Sequence, residues 1–397
     1  MKIVHICFSN SYNDGWGYQD NLLPEYLAKH NIKNYVIASK NHFPDYMKQN
    51  EINQIKDKGD NYNIGLVNIR RIKTTRLTST SYMPHGLCQL LDEIKPDMIF
   101  HHNICVGSMY VAAQYAKKNN IPFFVDNHAD ELNMRNSRLW IMLYHKFLLK
   151  TICHICDKSV SKYYGVTNSR CEFINKYYSI PKEKIELLPI GADTDFADKI
   201  ADRDLLRTKY NLSKNDIIIV SGGKMGIRKG TDKLIQVISS LSKQYTNLRL
   251  ILFGKYEDTY TEELAVSSDV VLNFSWCDRL KTLELLKLAD VACWPIHHTT
   301  LIEDAISVET PLLIRKTSTT QHLIDGNGKW IYYLDENELK DTLSKLITDN
   351  QFTSFRDKCK MMKVKISYKT ISEKLISDTI DVLQSKNSFN HITSTKN

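Results

Sequence analysis

Nowhere do the 397 residues contain a run of eighteen apolar residues, so no segment is expected to span a bilayer. The opening MKIVHICFSN leads straight into strand-like sequence, without the apolar h-region and small-residue cleavage site of a secretory leader. A cytoplasmic protein is therefore expected, with peripheral attachment to the inner face of the cell membrane left open. Cysteine is sparse and odd in number: nine residues scattered through segments such as HICF and VACW, a pattern of reduced thiols and not of a disulfide framework. Cys153 and Cys156 form a C-x-x-C, but no second pair stands at metal spacing, and helical packing is the expectation for both. No arginine-rich tract with interleaved aromatics points to nucleic acid. Two phosphate motifs are also missing. G-x-x-x-x-G-K-[ST] needs Gly before Lys, whereas Lys229 precedes Gly230, and Gly222, Gly223, Gly226 and Gly230 do not space as G-x-G-x-x-G.

What is present describes a globular protein too long for a single core, with 42% hydrophobic and 25% charged residues. Subtracting 45 acidic from 53 basic residues leaves +8, which favours anionic partners such as nucleotides, polyphosphates or acidic membrane surfaces.

Apolar strands alternate with amphipathic helices along the chain. Strands are expected at Lys2–Phe8, 33–38, 65–72, 97–101 and 122–125, with a polar, mobile insertion over Lys40–Asn63 and a long helix over Ser137–Asp157. After a strand at Ile185–Leu188, the segment Pro189–Lys199 loses periodicity and reads as an inter-domain hinge. A second series follows, with strands at Ile217–Val220, Leu248–Phe253, Val270–Phe274, Val291–Trp294 and Pro311–Ile314. The order predicts an α/β protein of two Rossmann-like, doubly wound parallel-sheet domains separated by a cleft. The expected domains are 1–195 for an acceptor and 196–369 for a nucleotide sugar. A terminal helix over 370–386 is free to cross back to the first domain, and a frayed tail occupies 387–397.

The chemistry concentrates at IIIVSGGKMGIRKGTDKLIQVI. Four β-branched residues lead into Gly222 and Gly223, Lys224, Arg228 and Lys229 follow, and a helix opens near Thr231. A glycine turn with cations at a helix N-terminus suits a phosphate, although a solvated basic loop has the same composition. A second segment, WPIHHTTLIEDAIS, starts a helix near Thr300, so the turn His298, Thr299, Thr300 and Leu301 offers orphan N–H donors. Glu303 either accepts from paired hydroxyls, as on a ribose, or closes a capping box with Thr300. In the first half, Gly15 and Gly17 flank Trp16 after a strand, and His128 ends another in DNHADE. His101 and His102 read as packing or supporting residues. Asp193-Thr194-Asp195 is a literal D-x-D, but its place at a mid-chain hinge argues against a metal.

With these residues the chain resembles the GT-B glycosyltransferases, in particular family 4 of retaining, nucleotide-sugar-dependent enzymes (group 1 glycosyltransferases). GWGYQDNLLPEY is similar to the first glycine loop of bacterial surface-polysaccharide members. GGKMGIRKG is similar to the family's Gly-Arg-x-x-x-x-Lys-Gly motif, with Lys224 where Arg is usual and Lys229 on the Lys. The resemblance implies catalytic roles for His128 (on the acceptor side), Lys224, Lys229 and Glu303. It implies donor contacts from Gly15, Gly17, Gly223, Arg228, His298, Thr299, Thr300 and Leu301. It departs where the family's first glutamate belongs, eight residues before Glu303, because Pro295 stands there. The implied reaction moves a sugar from a nucleotide-diphosphate sugar to a glycan or lipid-linked acceptor in capsule, O-antigen or exopolysaccharide synthesis. The nucleotide sugar is a co-substrate, and no cofactor, metal or nucleic acid is expected. The alternatives are a non-catalytic nucleotide-sugar-binding partner of another transferase and a GT-B nucleotide-sugar epimerase.

Overall fold

The computed structural model describes residues 1–9, 12–44, 47–131, 134, 137–333 and 335–394. The chain divides into two compact units, Met1–Pro189 with Tyr368–Asn397 and Ile190–Ser367.

Among the described residues the first unit carries an eight-stranded sheet. Its order is Ile185–Leu187, Lys162–Gly165, Phe123–Asn127, Met98–His101, Lys2–Cys7, Lys33–Ser39, Val67–Ile72 and Asn61–Ile64. All neighbours pair parallel except the last two. Parallel strands covered on both faces need apolar residues pointing both ways, which is why KIVHIC is buried almost throughout. Val4 and Ile6 face one core cluster with Met109, Ala112, Cys153 and Phe173, whereas Ile3, Phe100 and Tyr164 face another. The second cluster is closed by the helices Gln19–Ala28 and Tyr368–Ser394, through Leu23, Leu27, Tyr368, Ile371 and Leu375. The terminal helix is thus part of the first unit's core. Residues 395–397, the end of the expected frayed tail, lie outside the described residues.

The second unit holds a parallel six-stranded sheet among the described residues. The order is Val271–Phe274, Leu248–Tyr256, Ile217–Met225, Val291–Trp294, Leu312–Arg315 and Gly328–Ile331. Chain order reverses between Ile217–Met225 and Val291–Trp294, so a crevice opens beyond their carboxyl ends.

Several sequence expectations are corrected. The insertion at Lys40–Asn63 contains a helix, Gln49–Asp57, and a strand, Asn61–Ile64, paired antiparallel with Val67–Ile72. The helix escapes periodicity analysis because only Ile55 on it is buried. The central strand of the second unit does not end at Val220 but runs to Met225, pairing Gly222 with Phe253 and Gly223 with Gly254. A Cβ on Gly222 would fall 2.4 Å from the Phe253 ring, so this glycine serves strand packing and not a turn. The hinge segment includes a short helix, Thr194–Ala197, whose N-cap Asp193 accepts from the Phe196 amide at 3.3 Å. The first aspartate of the D-x-D is therefore a capping residue.

Asp378 ties the terminal helix to the first sheet. It accepts from the buried Tyr164 hydroxyl at 2.5 Å and from Lys162 and Lys374 at 3.0 Å each. Burial would raise its pKa, but these three donors win and lower it. A carboxylate lowered in the folded state stabilises above its unfolded pKa and loses that contribution as pH falls. Asp378→Ala is expected to lower the first unit's unfolding free energy by about 2 kcal/mol at pH 7, read by urea denaturation. The gap between variant and wild type should narrow as pH falls below about 4.

Candidate functional site

Beyond the carboxyl ends of the two switch-point strands lies a cavity of about 170 Å³. The buried Trp294 indole, at the end of its strand, donates from Nε1 to the Gly222 carbonyl at 3.1 Å and locks the two strand ends together. After Met225 the chain makes one tight turn, Ile227–Lys229, and enters the helix Thr231–Leu241. Gly230 joins them at φ +72°, and a Cβ there would lie 3.0 Å from Ile296. Two constraints, a left-handed backbone and a close neighbour, thus demand glycine where the first loop packs on the second.

Lys224 and Lys229 both line the cavity, Lys224 exposed and Lys229 half-buried. Among the described residues neither ammonium forms an ion pair. Burial, followed by the Arg228 charge, lowers the Lys229 pKa; Glu257 opposes this, and Lys224 adds a weaker push in the same direction as Arg228. Arg228 behaves differently. Its guanidinium lies 3.0 Å from Glu257, it is exposed, and it does not line the cavity. The three-cation reading thus resolves into two convergent lysines and one neutralised arginine.

The second loop supplies His297, His298 and Thr299 to the cavity wall. His297 has its pKa lowered by burial and by Lys229 and Arg228, which favours the neutral imidazole. His298 Nε2 lies 2.8 Å from Glu303 Oε1. Glu303 is 1% exposed, and its Oε2 has no hydrogen-bond partner among the described residues. No side-chain cap forms at Thr300, so the capping-box reading fails and the carboxylate turns to His298. Thr300 is exposed outside the cavity wall, while Leu301 faces Gly223: a Cβ on Gly223 (φ +99°) would stand 3.3 Å from Leu301 Cδ1. The helix Leu301–Ser307 has only seven residues, so anion attraction here rests chiefly on the lysine side chains. Arg279 holds the next carboxylate, Asp304, at 2.6 Å; burial nevertheless raises the Asp304 pKa.

His128, Gly15 and Gly17 belong to the first unit, and the cavity above is built from the second. Both glycines are exposed in a loop anchored by Asp14, which lies 3.0 Å from Arg71 and 3.0 Å from Lys58. His128 Nε2 stands 3.3 Å from the carboxylate of Asp126. The histidine next to that strand end, His102, proves to be the hub of a buried network. Its Nδ1 is 3.2 Å from Asp20 and 3.3 Å from Asp126, and its Nε2 is 3.1 Å from His5 Nδ1. Burial would lower the His102 pKa, but Cys7, Asp20 and Asp126 together raise it well above the usual value. Asp126 answers in the opposite direction, held low by His128 and His102 despite burial. Sequence reasoning missed Asp20, Asp126 and Trp294. Only their positions at strand ends and beside glycine loops could have signalled them.

Comparison with known proteins fits this geometry. Residues 202–363 match the family model of glycosyl transferases group 1. The uncharacterized glycosyltransferase MJ1059 of Methanocaldococcus jannaschii is 22% identical over 181 residues, covering 44% of this chain and 43% of the relative. The lipopolysaccharide glucosyltransferase WaaG of Escherichia coli is 24% identical over 196 residues, covering 47% and 52%. The chain thus spans about half the length of the curated relatives it matches. Among solved structures, a glycosyltransferase from Rickettsia africae superposes with TM-score 0.68 at 12% identity, over 96% of this chain and 98% of that one. Anabaena Alr3699/HepE in complex with UDP gives 0.64 at 14% identity, over 96% and 100%. The fold is that of the GT-B glycosyltransferases, and the second unit carries the group 1 sequence pattern.

Proposed function

We propose that the protein is a retaining, family 4 glycosyltransferase. It moves a sugar from a nucleotide-diphosphate sugar to a glycan or lipid-linked acceptor in bacterial surface-polysaccharide synthesis. The observation that carries this reading is the pair of ammonium groups, Lys224 and Lys229, that line one cavity with no carboxylate partner among the described residues. Cleaving the bond between sugar and phosphate leaves negative charge on the departing nucleoside diphosphate. Cations already in place stabilise that charge more in the transition state than in the ground state, which is the condition for acceleration. The two lysines fill the electrostatic role a divalent ion would otherwise have, so we assign no metal to the reaction. Glu303, held by His298 through one oxygen, keeps the other for ribose hydroxyls. His128, oriented by Asp126, is assigned to the acceptor side. Support for the donor class comes from HepE, a structural neighbour determined with UDP and with UDP-glucose. The surplus of basic residues supports a peripheral location on an anionic membrane.

Pro295 favours a second reading. Without the family's first glutamate to contact the sugar, the chain could bind a nucleotide sugar for another transferase without turning it over. Incubation with a panel of nucleotide sugars and lipid-linked acceptors separates the two. Under the transferase reading, Lys224→Ala and Lys229→Ala each lower turnover by about 10² to 10³. Nucleotide binding without transfer or donor hydrolysis across the panel would favour the binding partner.

The lowered Lys229 pKa gives a pH signature. An anion bound by this ammonium is held below that pKa and released as pH rises through it, earlier than the ordinary lysine value of 10.5 would allow. Nucleoside-diphosphate affinity, measured by calorimetry, should therefore decline on the alkaline side. Lys229→Arg, which keeps its charge there, should flatten the decline.

A further inference from the structure

The helical run over Arg138–Cys156 wears its apolar residues outward. It begins at Arg138–Trp140, passes through wide π-type turns over Ile141–Leu149 and continues as Lys150–Cys156. Tyr144, His145, Leu149, Cys153 and Cys156 are buried in the first unit. On the other side Leu139, Met142, Leu143 and Phe147 are all exposed, and in the wide π-type turns spacings of four and five keep Met142 and Leu143 beside Phe147. Leu139 is 62% exposed, Leu143 52% and Phe147 68%. Ile155 extends the exposed apolar surface along the next turns. Scattered apolar side chains on a surface need no explanation, but a contiguous group on one helix face marks an interaction site. Beside this face Leu139, Leu143, Leu148, Trp140 and Tyr144 frame an apolar hollow of about 460 Å³.

Charge identifies the occupant. No Asp or Glu occurs between Arg138 and Cys156, whereas Arg138, Lys146 and Lys150 are interleaved with the apolar residues. Aliphatic and aromatic groups interspersed with cations are what a helix lying in a lipid–water interface requires, since lysine stems can lie along acyl chains while their ammonium groups reach phosphate. A symmetric contact between two copies would set these cations against one another, with no acid on the face to pair them.

We propose that this face docks on an anionic lipid bilayer, with Leu139, Met142, Leu143 and Phe147 entering the acyl boundary and Arg138, Lys146 and Lys150 meeting headgroup phosphates. The surface deepens the peripheral-membrane part of the proposed function. Vesicle binding is read without sugar transfer, so either idea can fail alone.

The test is flotation of the full chain with vesicles of phosphatidylcholine alone or mixed with phosphatidylglycerol. The protein is expected to float with the anionic vesicles, remain behind with the neutral ones, and be released by raised salt. Leu143→Glu/Phe147→Glu changes only exposed positions, so its thermal melt should match wild type while vesicle affinity falls at least about tenfold. At about fivefold per basic residue near an anionic surface, Arg138→Glu/Lys146→Glu should weaken binding by about 25-fold or more. Wild type that stays behind with both vesicle types would overturn the proposal, as would a double apolar variant that binds unchanged. A dimer in analytical ultracentrifugation that Leu143→Glu/Phe147→Glu dissociates would instead assign the face to a second copy of the chain.

Discussion

The buried hydrogen bond from the Trp294 indole to the Gly222 carbonyl sits where chain order in the second sheet reverses, and the cavity depends on it. Parallel strands deliver all their carboxyl ends to one edge, and neighbours whose connections leave in opposite directions open a gap there. Trp294 closes the floor of that gap. The loops above it meet where Gly230, at φ +72°, packs on Ile296 with little room for a Cβ. Lys229 comes from one loop, and His297, His298 and Thr299 come from the other. Their convergence is a consequence of strand order.

The two strand-end sites, one in each unit, handle charge in opposite ways. In the first, the His102 imidazole sits between the carboxylates of Asp20 and Asp126, fully out of water. Such an arrangement holds its members in place, and Asp126 passes that order on to His128. In the second, two ammonium groups share a small cavity, while the nearest arginine is already neutralised by Glu257. Leaving like charges together without a counter-ion costs stability. The cost is recovered only when an anion arrives, which is the electrostatic logic of a diphosphate site.

Much of this was legible in the residues, but unevenly. The alternation of apolar strands and amphipathic helices revealed two doubly wound sheets, because buried parallel strands need continuous apolar runs. The loop holding Lys224 and Lys229 stood out because strand and helix signals flank it closely. Thr300 and Glu303 were ambiguous for a simple reason: a spacing of three serves a capping box and a ligand contact alike. Only the position of His298, folded back to 2.8 Å from Glu303, separates the two. Gly222 and Gly223 read as a turn because glycine usually marks one, yet they lie inside a strand whose neighbour presents the Phe253 ring. The helix over Gln49–Asp57 and the edge strand Gly328–Ile331 bury too few side chains to leave a periodic trace.

The linear order of residues by itself determined the fold class, the number of strand–helix series and which loop would be rich in cations, since each depends on neighbours a few positions apart. Tertiary structure alone decided which of those cations stay uncompensated, which carboxylate keeps a vacant oxygen, and that His102 is the centre of a buried ionic cluster. Ion pairing and burial join residues far apart in the chain, such as Asp20 with His102 and Arg279 with Asp304, and no local pattern encodes such distances.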